Sequence, residues 1–199
     1  MSAPEVLLVR HSETEWSAGG RHTGRTDVPL TEEGRARARD LAPALSGRAY
    51  ALVLTSPLSR ARETCELAGL GATAQVCEAL LEWDYGDYEG LTTPQIRAAR
   101  PDWSLWRDGC PGGERPDQVG ARVDPVVQRL AALEGDAVLF SHGHVLRVLT
   151  ARWLGLEPGA GALWALVTAS VSTLGWERET RVMWRWNLVP GEPPGPAAR

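Results

Sequence analysis

The chain has 199 residues, a net charge of −4 at pH 7 and 43% hydrophobic residues, which fits one soluble globular domain and excludes disordered and fibrous classes. Mild acidity without a basic stripe excludes nucleic acid as the main partner, and no apolar run is long enough to span a bilayer, so no membrane is expected. All 21 Lys+Arg residues are arginine, which excludes both a GxxxxGK phosphate loop and a lysine Schiff base.

Residues 5–10 form an apolar run ending in charge, the pattern of a buried first strand. Thr31 opens a helix with Glu32 and Glu33 in its first turn and Arg35, Arg37 and Arg39 beyond, ending near Ser46-Gly47. Residues 50–55 read as a second strand, followed by Ser56-Pro57, a helix over 59–68 and a short strand over 74–77. Residues 81–115 are irregular and rich in Gly, Pro, Asp and Trp, with one helix over 93–100, and are expected to form a substrate lid. A long helix follows over 115–133 with Val119, Val123, Val126, Val127 and Leu130 on one face. A strand over 137–141 leads to a helix over 144–154. Residues 163–188 read as two or three strands turning near 177–179, with Trp184 and Trp186 on one side of the last. The Pro- and Gly-rich tail, 190–199, is expected to be disordered, leaving 1–189 as a single domain.

Alternating strands and helices predict a three-layer α/β sandwich with a mostly parallel central sheet and an antiparallel C-terminal strand. Those C-terminal strands leave an edge open to a homodimer. The N-terminus Met1-Ser2-Ala3-Pro4 lacks the basic and apolar regions of a signal peptide. Cys65, Cys77 and Cys110 are odd in number and not in metal-type pairs, so a cytoplasmic location is expected.

Ligands of parallel sheets gather at the C-terminal ends of strands. Three polar groups occupy such ends: Arg10-His11, Ser56 leading to Arg60, and Ser141-His142. A histidine fixed there can present one neutral nitrogen as nucleophile while the other donates to a backbone carbonyl. A neighbouring arginine can fork two phosphoryl oxygens. Arg60 adds a guanidinium at the start of a helix, where an anion is favoured, with Arg62 as its competitor. Gly143 lets backbone N–H groups approach a ligand. His142 and His144 resemble half of a metal site, yet no carboxylate or cysteine partner accompanies them, so no metal is assigned.

These residues fall in stretches that together resemble the histidine phosphatase (phosphoglycerate mutase-like) superfamily over almost the whole chain. The stretches are Val9-Arg10-His11-Ser12-Glu13-Thr14-Glu15-Trp16, the run from Thr23 to Thr31, Ser56-Pro57-Leu58-Ser59-Arg60-Ala61 with Thr64, the run from Glu82 to Gly90, and Ser141-His142-Gly143-His144. Each is weak alone; five in order are specific. The runs from Glu82 to Gly90 and from Trp106 to Cys110, with His144 and Arg147, look closest to small acid phosphatases and sedoheptulose-bisphosphatase-like members.

The resemblance implies a phosphomonoester hydrolase without a cofactor, acting on small phosphorylated metabolites. It implies His11 as the phosphorylated residue, with Arg10, Arg60 and His142 around the phosphoryl group and Glu82 as proton donor. Asp84 is the rival acid. Thr23 and Gly24 match a loop that contacts phosphate or substrate. Ser12 stands where the family usually has glycine, which bears on the local backbone. Ser17 stands where many members have asparagine and can still offer a hydroxyl to phosphate. A phosphoglycerate mutase would use the same cage, and a phospho-ligand binding module would keep it without turnover.

Overall fold

The computed structural model describes residues 4–191; the tail expected to be disordered lies outside them from position 192 onward. Six strands form one sheet: β1 (Val6–Arg10), β2 (Tyr50–Thr55), β3 (Gln75–Val76), β4 (Asp136–Ser141), β5 (Val171–Glu177) and β6 (Thr180–Leu188), in the order β3-β2-β4-β1-β5-β6. The first four are mutually parallel, whereas β5 runs antiparallel to β1 and β6 antiparallel to β5. The helices are α1 (Glu15–Ala18), α2 (Glu32–Arg39), α3 (Ala42–Leu45), α4 (Ser59–Leu67), α5 (Thr93–Ala99), α6 (Leu105–Asp108), α7 (Pro116–Ala131) and α8 (Gly143–Trp153).

Because side chains alternate along a strand, each central strand feeds both faces of the sheet. Val6 and Leu8 join Leu52, Leu54, Ala137 and Leu139 in the core shared with the valine face of α7 and with α8. Leu7 and Val9 join Val53, Val138 and Phe140 in a second core against Leu41, Leu45 and Cys65 on the opposite side. Strands buried on both faces are unbroken apolar runs, which is why β1, β2 and β4 can be read from the sequence.

Where the elements differ from expectation, local chemistry explains it. The helix opened by Thr31, whose hydroxyl accepts the Gly34 N–H at 2.9 Å, stops at Arg39 instead of reaching Ser46. Pro43 has no N–H for the Arg39 carbonyl, so the chain breaks and restarts as the single turn α3. No strand starts at Leu163; residues Pro158–Leu163 form a 3₁₀ turn, and the strands begin at Val171. Trp184 and Trp186 do not share neighbours. The β5–β6 register shifts between Thr173 and Leu174. Trp186 then packs on the α7–α8 core, while Trp184 lies over Gly175, where a Cβ would come 2.7 Å from its ring nitrogen.

The sheet register also sets the site. Arg10 pairs with Ser141 and Thr55 with Phe140, so three parallel strands end level. The chain then continues in step, with His11 N–H donating to Ser141 O at 2.8 Å and Ser56 N–H to Phe140 O at 2.9 Å. Residues 11, 56 and 142 therefore emerge together at one edge.

Candidate active site

A cavity of about 180 Å³ opens over these strand ends, with Arg10, His11 and Glu82 at its inner end and Ser17 and Thr23 on its rim. His11 is buried, and its Nδ1 lies 2.7 Å from Ser12 O. That bond holds the ring proton on Nδ1 and leaves Nε2 with a free lone pair. Burial, then the Arg60 and Arg10 charges, holds the imidazole well below its ordinary pKa of 6.5, against a smaller opposing effect of the Ser12 carbonyl. A neutral, desolvated imidazole with one free nitrogen is a competent nucleophile. Ser12 takes no left-handed backbone conformation; its N–H donates to Thr64 Oγ1 at 3.0 Å. The position therefore does not need glycine.

Arg10 donates from Nη1 to the Leu166 carbonyl. Its Nε is buried without a hydrogen-bond partner among the described residues, an orphan donor of the kind an anionic ligand would satisfy. Gly143 makes this arrangement possible, because a Cβ there would sit 3.3 Å from Arg10 Cζ.

The structure separates Arg60 from its competitor: Arg60 is fully buried, whereas Arg62 on the next face of α4 is exposed. Arg60 is spent on neighbours, donating to Thr26 O at 2.8 Å, Thr23 O at 3.2 Å, Gly24 O at 2.9 Å and His142 Nδ1 at 3.2 Å. His142 in turn sits 2.7 Å from Ser56 Oγ, and its ring is tilted against that of His11 with the centroids 5.2 Å apart. Burial first, then the charge of Arg60, keeps it well below the usual imidazole range. Arg60 and His142 thus back the His11 ring, and neither lines the open cavity.

Glu82 is buried at the N-terminus of α8. Its Oε1 accepts from Trp83 N–H and Val145 N–H, both at 2.9 Å, and its Oε2 from His144 N–H at 3.0 Å. Asp84 points away from the cavity, accepting from Gly86 N–H at 3.0 Å and facing Arg25 at 3.8 Å. Glu82, and not Asp84, shares the cavity with His11. The loop that carries it is bolted down by Glu114, which accepts the Asp84 N–H at 2.8 Å and both arms of Arg122 at 2.8 and 2.9 Å. Arg122 also donates to the carbonyls of Ala79 and Leu81, each at 2.8 Å.

The remaining candidates are placed differently from one another. The Ser17 hydroxyl lines the cavity but donates to Thr14 O at 3.0 Å in a capping box. Thr23 lines the rim. Gly24 does not; its N–H is held by the Glu89 carboxylate at 2.8 and 3.0 Å, and a Cβ there would be 2.5 Å from Trp83 O. It locks the rim loop rather than offering an N–H to the cavity.

Sequence reasoning missed the outer wall: His22, Tyr85 and Arg21, which join His144 and Arg147 there. Tyr85 Oη lies 2.5 Å from His144 Nδ1, and the His22 ring lies tilted against Tyr85 with the centroids 4.8 Å apart. Burial holds His144 well below the ordinary value and lowers His22 to about 4. Helical phase offered one signal, since Arg147 follows Gly143 by one turn of α8. Trp103 is buried and donates its ring N–H to Gly109 O at 2.8 Å, so it packs the segment and is closed to a stacked sugar. Among the described residues, no group of three or more His, Cys, Asp or Glu side chains is arranged to hold a metal ion, and no helix is long and apolar enough to cross a membrane.

Comparison with known proteins places these features in context. The family model of the histidine phosphatase superfamily (branch 1) matches residues 6–189. An acid phosphatase of Mycobacterium tuberculosis is 46% identical over 181 residues, covering 88% of each chain. A sedoheptulose 1,7-bisphosphatase of Saccharomyces cerevisiae is 35% identical over 185 residues, covering 77% of this chain and 68% of its own. The solved structure of the open reading frame Rv3214 of Mycobacterium tuberculosis superposes with a TM-score of 0.89 at 42% identity, covering 94% of this chain and 98% of the other.

Proposed function

The chain belongs to the histidine phosphatase superfamily and hydrolyses phosphomonoesters of small phosphorylated metabolites, and we propose that it does so through a phosphohistidine formed on His11. The observation that carries this reading is the His11 ring itself, with Nδ1 tied to the Ser12 carbonyl and Nε2 free in a cavity shared with Arg10 and Glu82.

In the first step His11 Nε2 attacks phosphorus, the P–O ester bond breaks, and the departing alkoxide takes a proton from Glu82. In the second, Glu82 takes a proton from water as the water oxygen attacks the phosphohistidine, releasing inorganic phosphate and restoring both side chains. Arg10 supplies the charge that phosphoryl transfer needs, with its orphan Nε turned to an equatorial oxygen. Arg60 and His142 hold the His11 ring and the rim carbonyls in place, and a ligand that displaces one of their present bonds would gain a direct contact. Ser17, Thr23 and the N–H of Gly143 complete the rim around the phosphate, while Gly24 fixes the loop. No metal or cofactor enters either step.

We take residues 1–189 as one domain, of which 1–3 lie outside the described residues, with 81–115 as the substrate-facing segment. Cys65, Cys77 and Cys110 are free thiols, in keeping with a cytoplasmic protein, and β6 offers the open edge for a homodimer.

The test runs phosphate release and 2-phosphoglycerate formation side by side on one preparation, with the protein quenched during turnover and digested. Phosphate release should dominate, and an acid-labile, base-stable phosphate should map to His11 and be missing from His11→Ala. Label on a serine would overturn the mechanism. Isomerisation outrunning hydrolysis would make the protein a mutase.

A further inference from the structure

Residues 164–170 run from the 3₁₀ turn that ends at Leu163 to the start of β5 without helix or strand, so their backbone groups depend on partners from outside. The loop touches the site at three points. Arg10 Nη1 donates to the Leu166 carbonyl, Ala169 N–H donates to His11 O at 3.2 Å, and Arg10 N–H donates to Ser170 O at 3.2 Å. Ala169 holds a left-handed φ of 55°, a conformation that an alanine keeps only where its surroundings impose it. Leu166 itself lines the cavity.

The outside partners come from β6, the edge strand that β5 separates from β1. Between the pairs Val171–Leu188 and Thr173–Arg185, β5 has one residue, Ser172, where β6 has two, Trp186 and Asn187. Such a bulge re-aims side chains that would otherwise follow the pleat. Asn187 takes a left-handed φ of 61° and donates its N–H to Ser172 Oγ at 2.9 Å. Its Oδ1 accepts the Val167 N–H at 2.7 Å. Trp186, with its ring centroid 5.9 Å from that of Trp164, donates its ring N–H to the Ala165 carbonyl. The two side chains thus bracket Leu166. The Val167 N–H and the Leu166 C=O belong to one planar trans peptide and point in opposite directions from it. Asn187 holds one end of that plate, and Arg10 Nη1 takes the other. Anchored there, the Arg10 guanidinium keeps its buried Nε without a partner among the described residues.

We propose that Asn187 and Trp186, at the bulged end of β6, are positioning residues for phosphoryl binding: they fix the peptide whose carbonyl aims the Arg10 guanidinium into the cavity. Neither is among the residues that line the cavity, so both act through Leu166. Released from that carbonyl, the long arginine side chain regains rotamer freedom. A phosphate would then have to order it on binding, and the preorganisation that favours both binding and transfer is lost. Asparagine suits position 187 twice, since it tolerates the left-handed backbone and supplies the acceptor. This role rests on the reading of Arg10 as the charge that receives the phosphate.

The experiment measures kcat and KM for p-nitrophenyl phosphate, calorimetric binding of inorganic phosphate, and the urea midpoint in the wild type, Asn187→Gly, Asn187→Asp and Trp186→Phe. Asn187→Gly keeps the left-handed backbone and removes the acceptor. Its phosphate affinity and its kcat/KM should each fall about five- to tenfold, the worth of one hydrogen bond. Asn187→Asp, which keeps an acceptor oxygen, should recover most of both. Trp186→Phe, which keeps a ring and loses its N–H, should fall in the same direction by a smaller factor. On an Arg10→Gln background, Asn187→Gly should cost less than about twofold more in kcat/KM, because residues that act through one contact are not additive. Unchanged phosphate affinity in Asn187→Gly, whatever its urea midpoint, makes the contact purely structural and overturns the inference. An equal penalty with and without Arg10 overturns it as well. If the wild type releases no phosphate, the phosphatase reading fails, and the ratio of phosphate affinities between wild type and Asn187→Gly still decides whether β6 aims Arg10.

Discussion

Arg60 donates its Nε–H to Nδ1 of His142 across 3.2 Å, leaving the His142 proton on Nε2, where it faces Ser56 Oγ at 2.7 Å. The same guanidinium caps the carbonyls of Thr23, Gly24 and Thr26. One side chain therefore joins the histidine pair to the rim of the cavity.

Arg60→Lys should break that joint, because one ammonium cannot reach an imidazole and three carbonyls in a planar fork. With buried acceptors left unpaired, urea denaturation should show a loss of about 2–4 kcal/mol. Turnover should fall about a hundredfold as the rings behind the nucleophile loosen. An unchanged unfolding midpoint would mean that the carbonyls find other donors and that Arg60 is not the joint.

Glu82→Gln separates proton transfer from positioning. The three N–H donors on Glu82 face acceptor oxygens, so an amide NH₂ in place of one oxygen should cost about 1–3 kcal/mol in stability. Alkyl phosphates, whose alkoxide needs a proton, should slow by about 10²–10⁴. p-Nitrophenyl phosphate should slow far less. Equal slowing of both substrates would move the acid role elsewhere, and the outward-facing Asp84 would be the next variant to make.

Acidity should spare the nucleophile. Burial and two arginines hold His11 well below 6.5, so the free enzyme keeps it neutral, and able to attack, as pH falls through the range in which an ordinary histidine protonates. The acidic limb of log kcat/KM, which reports the free enzyme, should therefore lie below pH 6.5. A limb centred at 6.5 or above would show that the His11 environment is wetter than its burial implies.

The fold itself should respond in the opposite direction. His22 is lowered by burial to about 4, whereas in the unfolded chain it titrates near 6.5. Above 6.5 both states are neutral and nothing changes; between 6.5 and 4 the unfolded chain gains a proton that the folded chain refuses, so stability drops. The loss from this one ring reaches up to roughly 3 kcal/mol below pH 4. Urea midpoints measured from pH 7 to 4 should fall more steeply for the wild type than for His22→Gln. Parallel slopes would assign the acid sensitivity to other groups.

Legibility in the sequence followed the range of the interaction involved. β1, β2 and β4 are apolar runs whose burial on both faces leaves a local trace, and their charged or polar ends pointed to His11, Ser56 and His142. Nothing local separated Arg60 from Arg62, or Glu82 from Asp84. Arg60 faces inward because α4 turns Ala61 and Thr64 toward the sheet, and Glu82 because the N-terminus of α8 reaches its carboxylate from 62 residues away. The outer wall was invisible for the same reason. His22 comes to Tyr85 and His144 through a rim loop that Glu89 grips at Gly24, a contact between segments with no shared pattern. The break before Pro43 was readable from proline alone, yet the acidic start and basic end of the run masked it.

The Glu114–Arg122 bolt divides the segment 81–115 into parts held by different means. Its base, carrying Glu82 and Asp84, is anchored by polar bonds to α7 and to the carbonyls of Ala79 and Leu81. Its outer turns, α5 and α6, are seated by apolar burial, with Ile96, Trp103 and Leu105 in the core and Trp106 against Arg147. The acid and the outer turns thus hang on separate supports. Changes around Trp106 can accordingly reach the outer wall through Arg147 while the proton-handling carboxylate keeps its place, so one scaffold can shift its diet without rebuilding its chemistry.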